Sequence, residues 1–313
     1  MSSVKNLKAG LRGLVTYLKL AKSAFELLVS NDPLRMAGAT AFFTTFALPP
    51  ILIFIIQLLG VLYDPENVNR QVFKDLSENL GEDSSQQVID TLTAFKGMAN
   101  NTAMTVAGAI FLLFVSTTLF TVIRNSLNQL WKIRVVIRQT FMQRLRPRLL
   151  SLFIILGAGV LFAIGIMAEG VQTFLGKYVN SILPQLDFLF NSFLNYLISV
   201  IIITAWLSLL FRILPDGRPA WKVALAGAFV TSLLFNIGKF VLRWALAHSN
   251  INNIYGASSS VVLLLLFVFY SSLILYYGAA FTKVLAVNMG RPIKPLNRAI
   301  QYEIAEKQPE RTE

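Results

Sequence analysis

Hydrophobic residues along this chain of 313 residues are grouped into six long stretches separated by shorter polar segments. The second stretch, residues 102–123, has no charged side chain and matches the ~20 residues with which a helix crosses about 30 Å of hydrocarbon. The other five stretches are residues 36–63, 149–168, 188–211, 223–247 and 257–282. The pattern predicts an all-α fold, a polytopic membrane helix bundle with six transmembrane helices.

Basic residues fall on alternate sides of these predicted spans. The segments 1–35, 124–148, 212–222 and 283–313 contain 22 of the 28 Lys and Arg residues. The segments 64–101, 169–187 and 248–256 contain only 4. Because cytoplasmic loops retain positive charge, we expect the first group and both termini to be cytoplasmic. The predicted domains are residues 1–35, the membrane domain 36–282 and a cytoplasmic tail, 283–313.

The N-terminal segment is typical of a basic amphipathic helix. Apolar residues recur at helical spacing beside lysines and an arginine, and they are Leu7, Leu11, Leu14, Leu18, Phe25 and Leu28. Such a helix lies in the cytoplasmic membrane interface with its apolar face in the acyl boundary and its cations at anionic headgroups. The alternative is a helix packed against the cytoplasmic end of the bundle.

The polar segment 64–101 is acidic, in contrast to the rest of the chain. Its apolar residues recur at helical spacing on both sides of a break at residues 81–85, which predicts a short exported helical hairpin. A divalent cation is one possible ligand of its carboxylates. The carboxylates lack the ordered spacing of a calcium loop, however, and a solvated acidic face is favoured.

Two adjacent prolines, Pro49 and Pro50, lie near the middle of the first span. Proline removes a backbone donor and clashes with the preceding turn, so we expect the helix to kink or break here. A broken membrane helix often borders a transport site, whereas a kinked helix often only packs around its neighbours. The sequence leaves both alternatives open.

The fifth span has one polar face. Ser232, Asn236, Lys239 and Arg243 are spaced four, three and four residues apart, so they share one side of a helix. Cations at membrane depth usually face the bundle interior or a wet cavity. These four residues are therefore the candidate anion-binding site. The alternative is that both long side chains extend to the outer headgroups.

Composition narrows the functional classes. The chain has a net charge of +12, but only 14% of its residues are charged and 55% are hydrophobic. The basic residues adjoin apolar spans and no nucleic-acid module accompanies them, so we predict membrane lipids, including anionic headgroups, as partners and no nucleic acid.

The sequence contains no cysteine, phosphate-binding loop, zinc spacing or nucleophile motif, which favours a protein without catalysis, metal or cofactor. Small residues in the spans are accounted for within one chain, so a monomer is favoured.

Several short motifs, in order along the chain, resemble those of the YihY/BrkB family. They are Asp32-Pro33, Ala39 to Phe43, Leu48-Pro49, Leu127 to Lys132, Arg212 to Asp216, Gly227-Ala228, Tyr255 to Ala257, Phe269 to Ser272 and Gly278-Ala279. The resemblance runs from about residue 25 to 290. It implies a bacterial inner-membrane protein with six spans, and it supplies no agreed functional residues. Two positions depart from the common pattern, because Ala280 replaces a frequent Glu and Phe267 a frequent Trp.

The sequence favours a transporter or flippase-like protein that handles an anionic amphiphile, either a phospholipid or a lipid-linked phosphate. The polar face of the fifth span, the prolines of the first span and the lack of catalytic motifs support this interpretation. A non-catalytic scaffold of the cell envelope is the first alternative. A membrane-embedded enzyme, such as the ribonuclease that the family was once labelled, is the second.

Overall fold

The computed structural model describes most of the predicted helices. The described residues are 2–59, 70, 72–74, 77, 85–86, 88–90, 93, 102–136, 153–161, 163–165, 187–247 and 259–303. Within helices, the side chains of 2–14 and of some further residues, including Pro50 and Arg243, are outside this description.

Six long helices form the described part of the bundle. They are α1 (Ser2–Val29), α2 (Pro33–Leu59), α3 (Thr102–Trp131), α4 (Asp187–Ile213), α5 (Trp221–Ala247) and α6 (Ser259–Asn288). The sequence stretches predicted as the first, second, fourth, fifth and sixth spans coincide with α2 to α6. Residues 153–161 and 163–165, from the predicted third span, are also helical.

Three of the described helices are long and apolar enough to cross a membrane. Their apolar segments are Tyr196–Ile213, Trp221–Leu242 and Val261–Asn288. The structure thus supports a helical membrane protein, while the full number of six spans stays a prediction.

Helix α2 continues through Pro49 and Pro50 as one element, from Pro33 to Leu59. The chain therefore does not leave the helix at these prolines. The predicted break is not observed, and a kink at Pro49 and Pro50 stays a prediction. Side-chain hydroxyls of Thr44 and Thr45 bond back to the carbonyls of Thr40 and Ala41. Such bonds satisfy threonines inside an apolar helix.

The described residues of the acidic segment are helical wherever they can be assigned, for example 72–74 and 88–90. Val72 and Val88 are buried in the apolar core, and the hydroxyls of Ser77 and Ser85 are 3.0 Å apart. The predicted exported hairpin otherwise lies outside the described residues and stays a prediction.

In the described residues, four short strands lie at one end of the bundle. Strand β1 (Ile133–Val135) pairs antiparallel with β4 (Ala299–Gln301), and β2 (Gly217–Arg218) pairs antiparallel with β3 (Lys294–Pro295). The first of these elements follows α3, the second follows α4, and the last two follow α6. Three of the segments predicted to share one membrane side therefore meet in space.

The N-terminal segment joins the same end. Arg35 donates a hydrogen bond to Gln129 Oε1 (3.0 Å), and Gln129 Nε2 donates to the carbonyl of Asn31 (3.3 Å). All four predicted cytoplasmic segments thus contribute residues to one end of the bundle. The assignment of that end to the cytoplasm rests on the positive charge of these segments.

Helices α5 and α6 approach closely through glycine and threonine. Thr231 of α5 packs on Gly278 of α6, and Thr282 of α6 packs on Gly227 of α5. Both threonine hydroxyls donate to the carbonyl four residues earlier, those of Gly227 and Gly278, at 2.7 Å. Small residues allow the two backbones to approach closely. Helices in lipid associate through such close packing and through hydrogen bonds.

Helix α6 also holds α2 and α3. The buried hydroxyls of Tyr276 and Thr40 are 2.5 Å apart, which joins α6 to α2. Trp131 Nε1 donates to the carbonyl of Ala279 (3.0 Å), and Lys283 Nζ donates to the carbonyl of Leu130 (2.9 Å). The last turn of α3 is therefore fixed against α6.

Candidate functional site

A buried carboxylate organises the end of the bundle where the strands meet. Asp216 is fully buried, in the loop between α4 and β2. Arg124 donates to its Oδ2 through Nε (2.8 Å) and Nη2 (2.6 Å), and Asn128 Nδ2 donates to the same oxygen at 2.8 Å. Arg298 donates to Oδ1 through Nε (2.9 Å) and Nη2 (2.6 Å). One carboxylate thus accepts five hydrogen bonds from three side chains.

Backbone groups fix the same loop. The amide of Asp216 donates to Asn128 Oδ1 (2.9 Å), and its carbonyl accepts from the amide of Leu296 (2.8 Å). Arg124 and Asn128 are one helical turn apart on α3, which places both side chains on one face. Arg298 is presented by the turn between β3 and β4. The cluster therefore requires α3, the loop after α4 and the C-terminal strands together.

The environment holds Asp216 in its charged form. Burial by itself raises the pKa of this carboxyl, but the charge of Arg124 and the hydrogen bonds from Asn128, Arg124 and Arg298 together lower the pKa below its ordinary value. Two guanidinium groups and one carboxylate leave the cluster with a net positive charge of one. Its role is structural and electrostatic, and a proton-transfer role at neutral pH is disfavoured.

A cleft of about 1210 Å³ opens beside this cluster. One wall is a single face of α3, formed by Phe114, Thr117, Thr121, Arg124 and Asn128, which recur every three or four residues. These positions span about 21 Å at 1.5 Å per residue. Because the predicted span ends at residue 123, the cleft extends about 14 Å into it, roughly half of the hydrocarbon thickness.

Most of the other lining residues are polar, and the exceptions are Ile133 and Val135. Ser30, Asn31 and Asp32 contribute from the connection between α1 and α2, and Arg134, Tyr302 and Glu303 contribute from the strands and the residues that follow them. The hydroxyls of Thr118 and Thr121 donate to carbonyls of α3 itself, at 2.7 and 2.8 Å. A polar face at this depth suits a headgroup or a solvated path better than it suits lipid tails.

The structure places two of the predicted site residues at a helix contact. The hydroxyls of Ser232 and Thr204 are 2.8 Å apart, and Ser199 donates to Asn236 Oδ1 at 3.1 Å. The polar face of α5 at this level is therefore turned towards α4. Hydrogen bonds between helices account for Ser232 and Asn236 here.

The two predicted cations lie further along the same helix. Lys239 is half-buried, and its Nζ lies 5.6 Å from the centre of the Phe235 ring. Arg243 belongs to α5, but its side chain lies outside the described residues. At 1.5 Å per residue, Lys239 is about 27 Å from Trp221, the first residue of α5. It is therefore at the opposite end of α5 from Asp216 and does not belong to the cleft lining.

The Asp216 cluster is not among the site residues that the sequence predicts. Asn128 and Asp216 were present in two of the quoted motifs, but no role followed from either motif. A usable signal existed, because Asp216 is the sole acidic residue in the basic segments 124–148 and 212–222. A lone carboxylate among arginines indicates a buried ion pair, although the sequence does not show which arginine it contacts.

No metal-binding group of three or more His, Cys, Asp or Glu side chains is present in the part of the chain that the structure describes. The carboxylate of Asp216, at the centre of the polar cluster, already accepts hydrogen bonds from two arginines and an asparagine. Together with at least three membrane-length helices, the site defines a helical membrane protein with a polar cleft at one end.

The chain belongs to the family described as Virulence factor BrkB, whose family model matches residues 24–301. This range includes the Asp216 cluster, the cleft wall on α3 and all the helices from α2 to α6. The family resemblance identified from the sequence motifs is thereby confirmed.

Curated relatives carry the name UPF0761 membrane protein. The chain is 24% identical to the protein from Saccharophagus degradans over 91% of its own length and 64% of the relative, and 25% identical to that from Alcanivorax borkumensis over 85% and 61%. It is 25% identical to MS0032 of Mannheimia succiniciproducens over 88% and 92%. The chain thus spans about three fifths of the first two relatives. No solved structure matches it.

Proposed function

We propose that this member of the BrkB family is a transporter or flippase-like protein of the bacterial inner membrane that handles an anionic amphiphile. The substrate class is a phospholipid or a lipid-linked phosphate. The observation that carries the proposal is the polar face of α3 from Thr117 to Asn128, which lines a cleft whose inner end, at Phe114, is about halfway through the predicted span. An amphiphile can place its headgroup in such a cleft while its tails stay in lipid.

Arginine side chains support an anionic headgroup. Arg124 and Arg134 both line the cleft. Of the acidic lining residues, Asp216 is already bonded to Arg124 and Arg298, Asp32 lies 3.9 Å from Arg35, and Glu303 is exposed. A phosphate near the inner end is therefore opposed by few uncompensated carboxylates. Lys239 and Arg243 supply cations near the other end of the bundle, where an exported headgroup leaves.

The proposal predicts that the hydroxyls of the cleft wall are required for transport. The variant Thr117→Val/Thr121→Val keeps side-chain shape and removes two hydrogen-bonding groups. Loss of two headgroup contacts of about 1 kcal/mol each lowers the translocation rate roughly 10- to 30-fold. The rate is measured in proteoliposomes as the fraction of fluorescent phosphatidylglycerol, or of a labelled polyprenyl phosphate, that becomes accessible to an external quencher.

The matched control is Thr44→Val/Thr45→Val, which changes two half-buried threonines of α2 outside the cleft lining. The control keeps the wild-type rate if the cleft is the path. Equal rates for the cleft variant and wild type, or no transport of either lipid by wild type, would refute the proposed path.

The cations at the far end of α5 give a second test. We expect Lys239→Met and Arg243→Met to accumulate normally in the membrane and to lower the same rate about tenfold or more, because hydrogen bonds to charged groups contribute about 1.5 to 3 kcal/mol. Lys239→Arg keeps part of the rate. If the side chains only extend to the outer headgroups, both Met variants transport like wild type, and the anion-site assignment of Lys239 and Arg243 is abandoned.

A scaffold remains the main rival function, since it accounts for the strands and the Asp216 cluster without any transport. It gives no role to the polar wall of α3, which is why transport is preferred. The enzyme alternative gains no support from the described residues, where the clustered acidic side chains that hydrolytic metal sites use are not found.

A further inference from the structure

Helix α1 uses one of its faces to join the bundle. Leu20, Ala24 and Leu28, each four residues apart, are buried in the apolar core. The hydroxyl of Tyr277 in α6 donates to the carbonyl of Ala21 at 3.1 Å. On this face, α1 therefore packs against the bundle, as the second sequence-based alternative predicts. Leu28, which the sequence assigned to the lipid face, belongs to the buried one.

A second face of α1 is apolar and exposed. Leu18, Phe25 and Val29 are 62%, 58% and 55% exposed, and they recur seven and four residues apart. Apolar residues are thus placed on two sides of one helix, which the burial of a single core face does not explain. Lys19 and Lys22 are also exposed and follow this apolar stripe around the helix.

The depth of α1 is set by its contact with α6. Tyr277 precedes the predicted end of the last span, Thr282, by five residues, which is about 8 Å along the helix axis. Amphipathic helices of the interface bury their apolar faces about 5 to 10 Å into the boundary between headgroups and acyl chains. The part of α1 around Ala21 is therefore at the depth where that boundary lies.

We infer that the exposed stripe Leu18, Phe25 and Val29 is a docking surface for the cytoplasmic leaflet of the membrane, with Lys19 and Lys22 bound to anionic lipid headgroups. Helix α1 packs on α6, a helix of membrane length, and the lysines beside the stripe complement anionic lipid. Glu26, 3.8 Å from Lys22, forms only an exposed pair that a headgroup can replace. This inference is independent of the proposed transport.

Spin labelling tests where the stripe lies. The chain has no cysteine, so single cysteines at Phe25 and Lys19 carry one nitroxide each in the full-length protein in vesicles containing phosphatidylglycerol. We expect the label at residue 25 to collide mainly with oxygen, which concentrates in lipid, and the label at residue 19 to collide mainly with a water-soluble nickel chelate. A nickel-accessible label at residue 25 overturns the inference. So does strong dipolar broadening between labels, which indicates that a second copy covers the stripe.

Lipid retention tests the lysines. Lys19→Gln/Lys22→Gln is expected to lower the affinity for phosphatidylglycerol in mixed micelles about fivefold per lysine, the usual contribution of a basic side chain near an anionic surface. The control Lys222→Gln/Lys294→Gln removes two exposed lysines elsewhere and the same total charge. Equal losses in both variants show a general charge effect and refute a specific role of α1.

Discussion

Asp216→Asn is expected to destabilise the protein by about 3 to 5 kcal/mol, the usual cost of removing one partner from a buried ion pair. The asparagine has nearly the same shape, so the effect isolates the charge. Arg124, only 8% exposed, is left without its carboxylate, and the new amide directs hydrogens at one of the guanidinium groups. The measurement is the thermal unfolding midpoint in detergent, read by fluorescence-detected size exclusion.

The control for this substitution is Asp32→Asn. Asp32 is exposed and lies 3.9 Å from Arg35, so its charge contributes little. Adding Arg124→Leu to Asp216→Asn removes the more buried of the two uncompensated cations, and we expect the double variant to recover part of the loss. If Asp216→Asn melts at the wild-type temperature, the cluster does not stabilise this end of the bundle.

The stabilisation of the folded protein by the Asp216 carboxylate depends on pH in a defined direction. Since its pKa in the folded protein is lowered from 3.8, the folded state favours the charged carboxylate. The stabilisation is fully present above the pKa of the unfolded chain and is lost as the pH falls through the lowered folded value. The stability difference between wild type and Asp216→Asn is therefore constant near neutral pH and shrinks only in strong acid.

Gly278→Ala is expected to destabilise the contact of α5 with α6 by about 1 to 3 kcal/mol. An added Cβ lies 1.8 Å from Thr231 Oγ1 and 2.8 Å from its Cβ and Cγ2. Thr231 cannot easily turn away, because it is buried and its hydroxyl donates to the carbonyl of Gly227 at 2.7 Å. The same unfolding midpoint reports the loss.

Two further variants make this prediction specific. Gly38 of α2 has no neighbour within 4 Å of an added Cβ, so Gly38→Ala is expected to be neutral or slightly stabilising, as alanine favours helix by up to about 1 kcal/mol. Thr231→Ala in the Gly278→Ala background removes part of the clash and recovers part of the midpoint. Wild-type stability of Gly278→Ala contradicts the close packing of these helices.

The helices themselves were predictable from the sequence. A helix in lipid satisfies its backbone hydrogen bonds within its own segment, so a long apolar stretch such as 257–282 is sufficient to predict α6. The four basic segments also meet at one end of the bundle in the described residues, where Arg35 contacts Gln129 and Gly217 pairs with Lys294. The cytoplasmic side of this end stays a prediction. The short strands at this end were not predicted, since two- or three-residue pairings have no sequence periodicity.

The partners of polar residues required the tertiary structure. Periodicity placed Ser232 and Asn236 on one face of α5, but their hydrogen bonds to Thr204 and Ser199 depend on how α4 packs. Likewise, Arg124 is 92 positions from Asp216 and Arg298 is 82 positions from it. By itself, the sequence determined the elements and their polarity, because helix formation and hydrophobicity act locally. Only the packing of distant segments decided which buried charges meet, because that energy depends on distances the sequence does not contain.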